Sequence, residues 1–475
     1  MTTAVKNTKT DPGSISTRSF VQYGFVLPRY FVAAIFLVLV GGLVLLKFGL
    51  SPMSLFIAIA SVAGGYMAIN IGANDVANNV GPAVGSGALS LGTAIAIAVV
   101  FESAGALLAG GDVVSTISKG IIDPSMIPNT KSFLMAMGAA LLAGALWLNL
   151  ATWVGAPVST THSIVGGVLG GGIAAAGLNV VDWGVMSKIG ASWVISPVLG
   201  GVIAASFLAG IEKTVFSKSD MIAASRRWVP VFLSVMVSAF TMYLIMKGLK
   251  KVWKPDMWVV MLVGLGAFIL SSFALRPFVT RAAQHIGNRR ASVNQLFNIP
   301  LIFSAALLSF SHGANDVANA VGPLSAIVSA ASESEIAAKV GIPIWVMIIG
   351  AIGISIGLLL FGAKLIRTVG KQLTSLDQTR AFCVCLSAAI TVIGASAMGL
   401  PVSSTHIAIG SVFGIGFFRE FRCNRRKQET THSRKPRKLV RRKQLLTICA
   451  AWFITVPMAA LLSATLYFVA QGATG

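Results

Sequence analysis

Two short polar motifs each occur twice in an otherwise apolar chain of 475 residues. The first reads GANDVANNVGP at Gly72–Pro82 and GANDVANAVGP at Gly313–Pro323. The second reads PVSTTHS at Pro157–Ser163 and PVSSTHI at Pro401–Ile407. Carboxylate and amide oxygens suit hard cations, whereas hydroxyls and N–H groups at the start of a helix bind anions. The two motifs together therefore indicate a site that binds a cation beside an oxyanion.

The first motif is predicted to hold the cation. Gly, Asn and Asp are poor helix formers and Pro82 lacks a backbone N–H, so the helix that begins near Met53 is expected to break near Gly72. Carbonyl groups freed by such a break are tolerated in a membrane only where they line a cavity or are buried in protein. With the polar side chains they would form an all-oxygen cluster in each half. The predicted sodium ligands are Asn74, Asp75, Asn78, Asn315, Asp316 and Asn319.

The second motif is predicted to hold the anion. Pro157 and Pro401 disfavour continuation of the preceding helix, and the hydroxyls that follow are typical N-caps. The N-terminus of a new half-helix presents unpaired N–H groups and the positive end of the dipole. Since no Arg or Lys lies in the four motifs, an anion beside the aspartates would be repelled unless cations bound between them, which favours symport. The predicted anion ligands are Ser159, Thr160, Thr161, Ser403, Ser404 and Thr405.

Three further ionisable residues lie in apolar segments. Glu102 either pairs with a polar neighbour or lies on the ion path, and the matching region of the second half, Gly353–Gly357, has no glutamate. His162 and His406 each follow a predicted cap. They either bond a neighbouring carbonyl or take part in proton or substrate binding, and the sequence leaves both alternatives open.

The composition shows what must position these motifs. With a mean hydropathy of +0.82, 55% hydrophobic residues and only 11% charged residues, the chain is predicted to be an all-α polytopic membrane protein with about 11–13 membrane helices. A large soluble enzyme is excluded by the scarcity of charge. The net charge of +22 is concentrated in loops, so it indicates membrane topology and not a nucleic-acid partner.

The duplicated motifs predict two homologous halves of inverted topology, with broken helices and re-entrant hairpins. Loop 110–131 is neutral whereas its counterpart 363–380 is basic, and loop 176–188 is charge-poor whereas 419–443 is crowded with Arg and Lys. By the positive-inside rule, corresponding loops lie on opposite sides of the membrane, as in many secondary transporters. Loop 247–254 disagrees, because it carries four lysines but is assigned outside.

The predicted segments follow from this arrangement. They are a cytoplasmic N-terminal segment (1–29), an extra transmembrane helix (30–50), transport repeat 1 (53–210), a linker with two transmembrane helices near 228–247 and 257–274 (211–296), and transport repeat 2 (297–470), which contains the basic cytoplasmic loop 419–443.

The motifs resemble those of the inorganic phosphate transporter (PiT) family over most of residues 53–470. The similar stretches are GANDVANNVGPAVGSGAL, the pair Phe101–Glu102, SHGANDVANAVGP and the two PVS(T/S)TH motifs. The resemblance implies import of inorganic phosphate driven by a sodium or proton gradient, with sodium the favoured ion. It further implies that Asp75, Asn78, Asp316 and Asn319 coordinate sodium and help to hold phosphate, and that the two hydroxyl runs complete the anion site.

Several alternatives remain at this stage. A sulfate permease of the same family is the main rival, and an ion channel or a nutrient receptor is a weaker one, because broken helices in inverted repeats favour alternating access. A Ser159–His162 pair without defined oxyanion chemistry does not support an enzyme. The expected partners are phosphate, sodium or protons, and membrane lipids, with no other cofactor. A bacterial inner membrane is the expected location, and homodimerisation stays open.

Overall fold

The computed structural model describes residues 26–154, 158–248, 255–333, 342–372, 376–430, 440 and 442–474. Helices account for nearly all of these residues, and no β-strand occurs among them. Eleven of the described helices are long and apolar enough to cross a membrane. The all-α polytopic class and the predicted number of helices are therefore confirmed.

The helices are numbered here in chain order. They are α1 (Val26–Phe48), α2 (Pro52–Gly85), α3 (Leu91–Ala109), α4 (Gly111–Ser115), α5 (Thr130–Val154), α6 (Thr160–Ala176), α7 (Trp183–Ile211), α8 (Met221–Tyr243), α9 (Met257–Ala282), α10 (Arg290–Gln295), α11 (Asn298–Glu333), α12 (Ile344–Gln372), α13 (Gln378–Ala397), α14 (Ser404–Thr430) and α15 (Arg442–Thr474).

The structure places helices in most of the predicted segments. Helix α1 covers the expected extra helix, and α8 and α9 are the two linker helices. The prediction of a loop over residues 419–443 is wrong in its first part, because α14 continues to Thr430. Residues 1–25, most of the predicted N-terminal segment, and residues 431–439 of that loop lie outside the described residues.

Helices α5 and α6 form a hairpin whose outer ends lie side by side. The segments before α5 and after α6 are joined by backbone hydrogen bonds from Asp123 N–H to Val180 O (2.7 Å) and from Asp182 N–H to Ile121 O (3.0 Å). Ser159, in the turn between the helices, is buried. This is the geometry expected of a re-entrant hairpin. Pro157, predicted to end the first helix, lies outside the described residues.

Helices α13 and α14 form the second hairpin. Gly399 in its turn has a φ of +69°, a left-handed conformation that glycine adopts without a Cβ clash. Two residues further along the turn, the carbonyl oxygen of Pro401 accepts a hydrogen bond from Trp193 Nε1 at 3.1 Å. The two hairpin turns meet, since Thr161 of the first donates its hydroxyl to Val402 O of the second at 3.0 Å.

Glycines allow the motif helix of each half to pack closely on the other half. A Cβ on Gly72 in α2 would lie 2.0 Å from the carbonyl oxygen of Ile354 in α12. A Cβ on Gly313 in α11 would lie 2.0 Å from the carbonyl oxygen of Glu102 in α3. Helix α2 of the first half thus contacts α12 of the second half. Helix α11 of the second half makes the equivalent contact with α3 of the first.

The hairpins are packed in the same crossed manner. Gly170 in α6 lies against Ala460 in α15, where a Cβ would be 2.0 Å from the carbonyl oxygen. Gly414 in α14 lies against Gly201 in α7, where the corresponding distance is 2.1 Å. Each of these hairpins therefore packs against the last long helix of the other half.

The close approach at Gly72 can be tested with a matched pair of alanine variants. We expect Gly72→Ala to force α2 and α12 apart, because overpacking of a tight contact costs about 1–3 kcal/mol. Gly81→Ala is the control, since it lies in the same motif and helix but an added Cβ would meet nothing within 4 Å. Thermal unfolding in detergent should show a lowered apparent Tm for Gly72→Ala only. Equal Tm values for the two variants would contradict this account of the packing.

Candidate substrate and cation site

The first motif lies within unbroken helices in both halves. Helix α2 runs through Gly72 and helix α11 runs through Gly313, so the predicted break at Gly72 is wrong. Tertiary contacts override the low helix propensity of these residues, and the glycine serves close packing. Only the prolines interrupt the hydrogen bonding. Pro82 and its counterpart Pro323 have no N–H to give to the carbonyl four residues earlier, that of Asn78 or Asn319.

Asp75 lies at the centre of the first motif and is fully buried. Its Oδ1 accepts a hydrogen bond from Thr405 Oγ1 at 2.9 Å. Asn78 Nδ2 donates to the same threonine oxygen at 2.8 Å. The first motif of one half therefore meets the hydroxyl motif of the other, although Asp75 and Thr405 are 330 residues apart in the chain.

Asp316 occupies the equivalent position in α11 and is also fully buried. Ser404 Oγ donates to its Oδ2 at 2.8 Å, and Thr161 Oγ1 lies 3.5 Å from its Oδ1. Asn319 Nδ2 contacts the hydroxyls of Thr160 and Thr161 at 3.4 and 3.3 Å. Hydroxyls from both hairpins thus converge on one carboxylate.

Asn74 and Asn315 hold the hairpin turns. Asn74 Nδ2 donates to Val158 O at 3.3 Å. Asn315 Nδ2 donates to Leu400 O at 3.2 Å, and its Oδ1 accepts a hydrogen bond from Val402 N–H at 3.3 Å. These contacts show both asparagines docking the turns onto the motif helices. Their assignment as sodium ligands stays a prediction.

Ser159 and Ser403 cap the second helix of each hairpin, as the sequence predicts. The Ser159 hydroxyl oxygen accepts a hydrogen bond from His162 N–H at 3.1 Å, and that of Ser403 accepts one from His406 N–H at 3.3 Å. Helices α6 and α14 therefore begin where the two hairpins meet. The hydroxyls and the N–H groups of their first turns are concentrated there.

The two histidines that follow the caps pack together. The His162 ring stacks on Trp193 with 3.8 Å between centroids and lies 4.6 Å from the His406 ring. Its Nδ1 lies 2.8 Å from Ser159 Oγ. These contacts place both rings behind the capped turns, and a proton or substrate role for either histidine stays a prediction.

His312 is a member of the buried cluster that the duplicated motifs do not predict. This residue is fully buried, and its Nε2 lies 2.7 Å from Asp316 Oδ2 and 3.7 Å from Asp75 Oδ2. Its Nδ1 lies 3.1 Å from Glu102 Oε2. Asn79 Nδ2 donates to the other oxygen of Glu102 at 2.7 Å. Glu102 thus pairs with polar neighbours, one of the two alternatives that its sequence position left open.

A signal for His312 was present in the sequence. It stands four residues before Asp316, so the two share one face of a helix. In the first half the same position is Ile71, and the position equivalent to Glu102 is Ile354, since Gly72 meets Ile354 where Gly313 meets Glu102. The α11–α3 contact therefore has His and Glu at the positions where the α2–α12 contact has two isoleucines.

The cluster has the chemistry of a cation site. One ligand atom from each of Asp75, His312 and Asp316 lies within 4.8 Å of the others, and all three residues are buried. Asp75 Oδ2 and Asn319 Oδ1 are buried and accept no hydrogen bond from any described residue. A buried oxygen that accepts no hydrogen bond destabilises the folded protein unless a cation or another donor satisfies it.

The crossed helices, the two hairpins and the buried carboxylate–hydroxyl cluster define a multi-pass membrane transporter. A family model described as "Phosphate transporter family" matches residues 71–463. The chain belongs to this family, which confirms the resemblance read from its motifs, and the function that the family supports is transport of phosphate and not catalysis.

Similar proteins agree with this assignment. A protein of Helicobacter pylori (strain J99) described as "Putative phosphate permease" is 50% identical over 394 residues, which cover 82% of this chain and 74% of that protein. A protein of the same description from Pyrococcus abyssi is 36% identical over 87% of this chain and 98% of its own length. The solved structure titled "The sodium-dependent phosphate transporter" matches with a TM-score of 0.80 and 36% identity, over 88% of this chain and 99% of that one.

The His312–Glu102 pair can be tested by replacing each residue with isoleucine, the residue at the equivalent positions 71 and 354. His312→Ile or Glu102→Ile alone should lower stability by about 1–3 kcal/mol, because each removes the partner of a buried polar atom, Glu102 Oε2 or His312 Nδ1. The double variant places isoleucine at both positions, as Ile71 and Ile354 stand at the α2–α12 contact, and should recover part of this loss. A double-mutant cycle on apparent unfolding free energies should give a coupling of about 1–3 kcal/mol. Strictly additive losses would show that the two residues are not coupled. Asn79→Ala in the double variant tests whether the Asn79 amide contributes to stability only through its hydrogen bond to Glu102.

Proposed function

We propose that this protein imports inorganic phosphate together with sodium ions by alternating access. The observation that carries the proposal is the contact of each buried aspartate with hydroxyls from the hairpin of the other half. A cation at Asp75 and Asp316 and an anion at the hydroxyls would then be direct neighbours. The similar structure whose title names a sodium-dependent phosphate transporter supports sodium as the coupling ion.

The carboxylates supply the cation-binding part of the proposed site. Sodium is a hard cation and prefers oxygen ligands such as those of Asp75, Asp316 and the two motif asparagines, Asn78 and Asn319. The carbonyls of these asparagines add further oxygens, since each lacks the helix hydrogen bond that Pro82 or Pro323 would otherwise give. The unsatisfied oxygens Asp75 Oδ2 and Asn319 Oδ1 support the same assignment.

The hydroxyl-bearing helix starts supply the anion-binding part. Thr160 and Thr161 open α6, while Ser404 and Thr405 open α14. Free N–H groups of a first helical turn and neighbouring hydroxyls are donors that suit phosphate oxygens. Two helix N-termini would thus hold an anion without an Arg or Lys.

The structure suggests how the two bindings depend on each other. Ser404 and Thr405 donate their hydroxyl hydrogens to Asp316 and Asp75, so the donors that phosphate needs are engaged by the carboxylates. Sodium at the carboxylates would supply positive charge in place of these hydrogen bonds and release the hydroxyls for phosphate. Cation binding would therefore strengthen phosphate binding, and by linkage phosphate would strengthen cation binding by the same factor.

Inverted repeats would provide the alternating access. The crossed contacts α2–α12 and α11–α3 support a pseudo-two-fold relation between the halves. Two groups of ion pairs support the loop assignments. Asp112 and Lys247 pair at 2.5 Å, which brings the start of loop 247–254, just after α8, to the neutral loop after α3. Glu212 pairs with Arg422 at 3.1 Å and also with Arg290, which brings together three segments assigned to the cytoplasm.

Two variants should separate the roles of the two motifs. Asp316→Asn removes a charged sodium ligand, so sodium-driven phosphate uptake should fall to background. Ser404→Ala removes one donor to a charged acceptor, worth about 1.5–3 kcal/mol, so apparent phosphate affinity should weaken by about ten- to a hundredfold. Its sodium dependence should persist. The measurement is uptake of labelled phosphate by proteoliposomes under imposed sodium or pH gradients, with sulfate as competitor.

Ser325→Ala is the matched control for these variants. Its hydroxyl is buried in α11 but donates only to Gly322 O of its own helix, so uptake should stay near the wild-type level. Sodium-driven uptake by Asp316→Asn at the wild-type rate would refute the cation assignment. Uptake driven by a pH gradient alone would replace sodium with the proton, and stronger transport of sulfate than of phosphate would identify a sulfate carrier.

The inverted topology predicts labelling from opposite sides. Met126 lies in the loop before α5 and is 48% exposed, and the native Cys423 near the end of α14 is exposed. In a background without Cys449, Cys423 should react with an impermeant thiol reagent from the cytoplasmic side. Met126→Cys, with Cys423 also removed, should react from the outside. Reaction of both from one side would refute the inverted arrangement.

A further inference from the structure

An apolar groove on the outside of the helix bundle is not used by the proposed transport cycle. It has a volume of about 1150 Å³ and lies between α7, α14 and α15. Val198 and Val202 of α7 and Phe453 of α15 form its walls with exposed fractions of 63%, 57% and 82%. Surfaces of this kind on a membrane protein face acyl chains, because the bilayer is the only apolar solvent available.

The inner end of the groove reaches the residues behind the candidate site. His162 and Trp193 line it, and their rings stack at 3.8 Å. Trp193 donates a hydrogen bond to Pro401 O in the turn of the second hairpin, and His162 lies 2.8 Å from the cap Ser159 of the first. A molecule at this end of the groove would therefore pack against the ring pair that contacts both hairpin turns.

The other end of the groove is basic. Phe417 and Phe421 line both the groove and an adjoining cavity of about 590 Å³, whose wall includes Arg425. The sequence from Arg419 to Lys427 contains five basic residues and one acid, Glu420. That acid is already paired with Arg442 at 3.2 Å. At this end, the apolar groove thus meets an excess of positive charge.

The length of the groove matches one leaflet of a bilayer. Its lining on α14 extends from Ile409 to Phe421, which is about 18 Å at 1.5 Å per residue. Half of the hydrocarbon core is about 15 Å thick. The apolar part therefore has room for an acyl chain, and Arg425 lies where the lipid headgroup would be.

We propose that this groove binds an anionic phospholipid, with an acyl chain between α7, α14 and α15 and the headgroup phosphate near Arg425. The chain end would pack against Trp193 and His162 and so support the two hairpin turns. A second copy of this protein is a weaker match, because it would have to place an anionic group on the arginines and also fill a narrow channel. The proposal does not depend on which ion drives transport.

Lipid binding can be measured directly with the intact protein. The purified chain is mixed with phosphatidylglycerol and phosphatidylcholine in detergent, and retained lipid is counted by native mass spectrometry. Wild type should retain phosphatidylglycerol in preference to phosphatidylcholine. Arg425→Gln should reduce that retention by about fivefold, the effect of one basic residue on binding to an anionic lipid surface. Val202→Trp should abolish it by filling the groove.

Matched controls lie on α9, away from the groove. Leu265→Trp places the same ring at a residue with 55% exposure, and Arg281→Gln removes a basic residue from the last turn of that helix. Both should retain lipid as wild type does, and gel filtration should show that all four variants are folded. In vesicles, added phosphatidylglycerol should raise phosphate uptake by wild type but not by Val202→Trp.

Three results would overturn the proposal. The first is equal retention of phosphatidylglycerol by wild type, Arg425→Gln and Val202→Trp. The second is loss of a dimer in Val202→Trp with lipid retention unchanged, which would make the groove an interface between copies. The third is wild-type uptake that does not respond to phosphatidylglycerol, which would remove the link to the hairpin turns.

Discussion

The rest of the structure depends on one constraint, the burial of two aspartates close together. One carboxylate oxygen each of Asp75 and Asp316 and one ring nitrogen of His312 lie within 4.8 Å of one another. Two carboxylates in a low-dielectric interior repel each other and lose their hydration, so they persist only where positive charge and hydrogen-bond donors surround them. Here the donors are hydroxyls from hairpins that come from both halves of the chain. The turns of these hairpins are docked on the motif helices by Asn74 and Asn315.

Close packing by glycine makes this convergence possible. Each motif helix approaches a helix of the other half so closely that a Cβ would collide with a backbone carbonyl. In the sequence these glycines suggest a helix break. In the structure the two motif helices are intact, and the glycines allow the close packing that brings their carboxylates together. The motif presents oxygens mainly on side chains that project from a regular backbone. The carbonyls of Asn78 and Asn319 add to them, because Pro82 and Pro323 have no N–H to donate.

Much of this arrangement could be predicted from the sequence, because duplication makes a weak local pattern specific. The membrane class, the two hairpin helix starts and the residues of the two motifs follow from hydropathy, capping residues and repetition. The contact between Thr405 and Asp75 could not be predicted, since local periodicity carries no information on which distant elements pack together. The unbroken helix at Gly72 shows the same limit, because tertiary packing decides whether a glycine breaks a helix or allows a close contact. Duplication gives no signal for His312, because its counterpart in the other half is Ile71.

The α11–α3 and α2–α12 contacts share the same close backbone approach but differ in their side chains. His312 and Glu102 stand at the first contact, and Ile71 and Ile354 stand at the equivalent positions of the second. If the two halves exchange conformations as proposed, water reaching the polar pair would be less costly than water reaching the apolar pair. The two conformations would then differ in free energy even without an ion gradient.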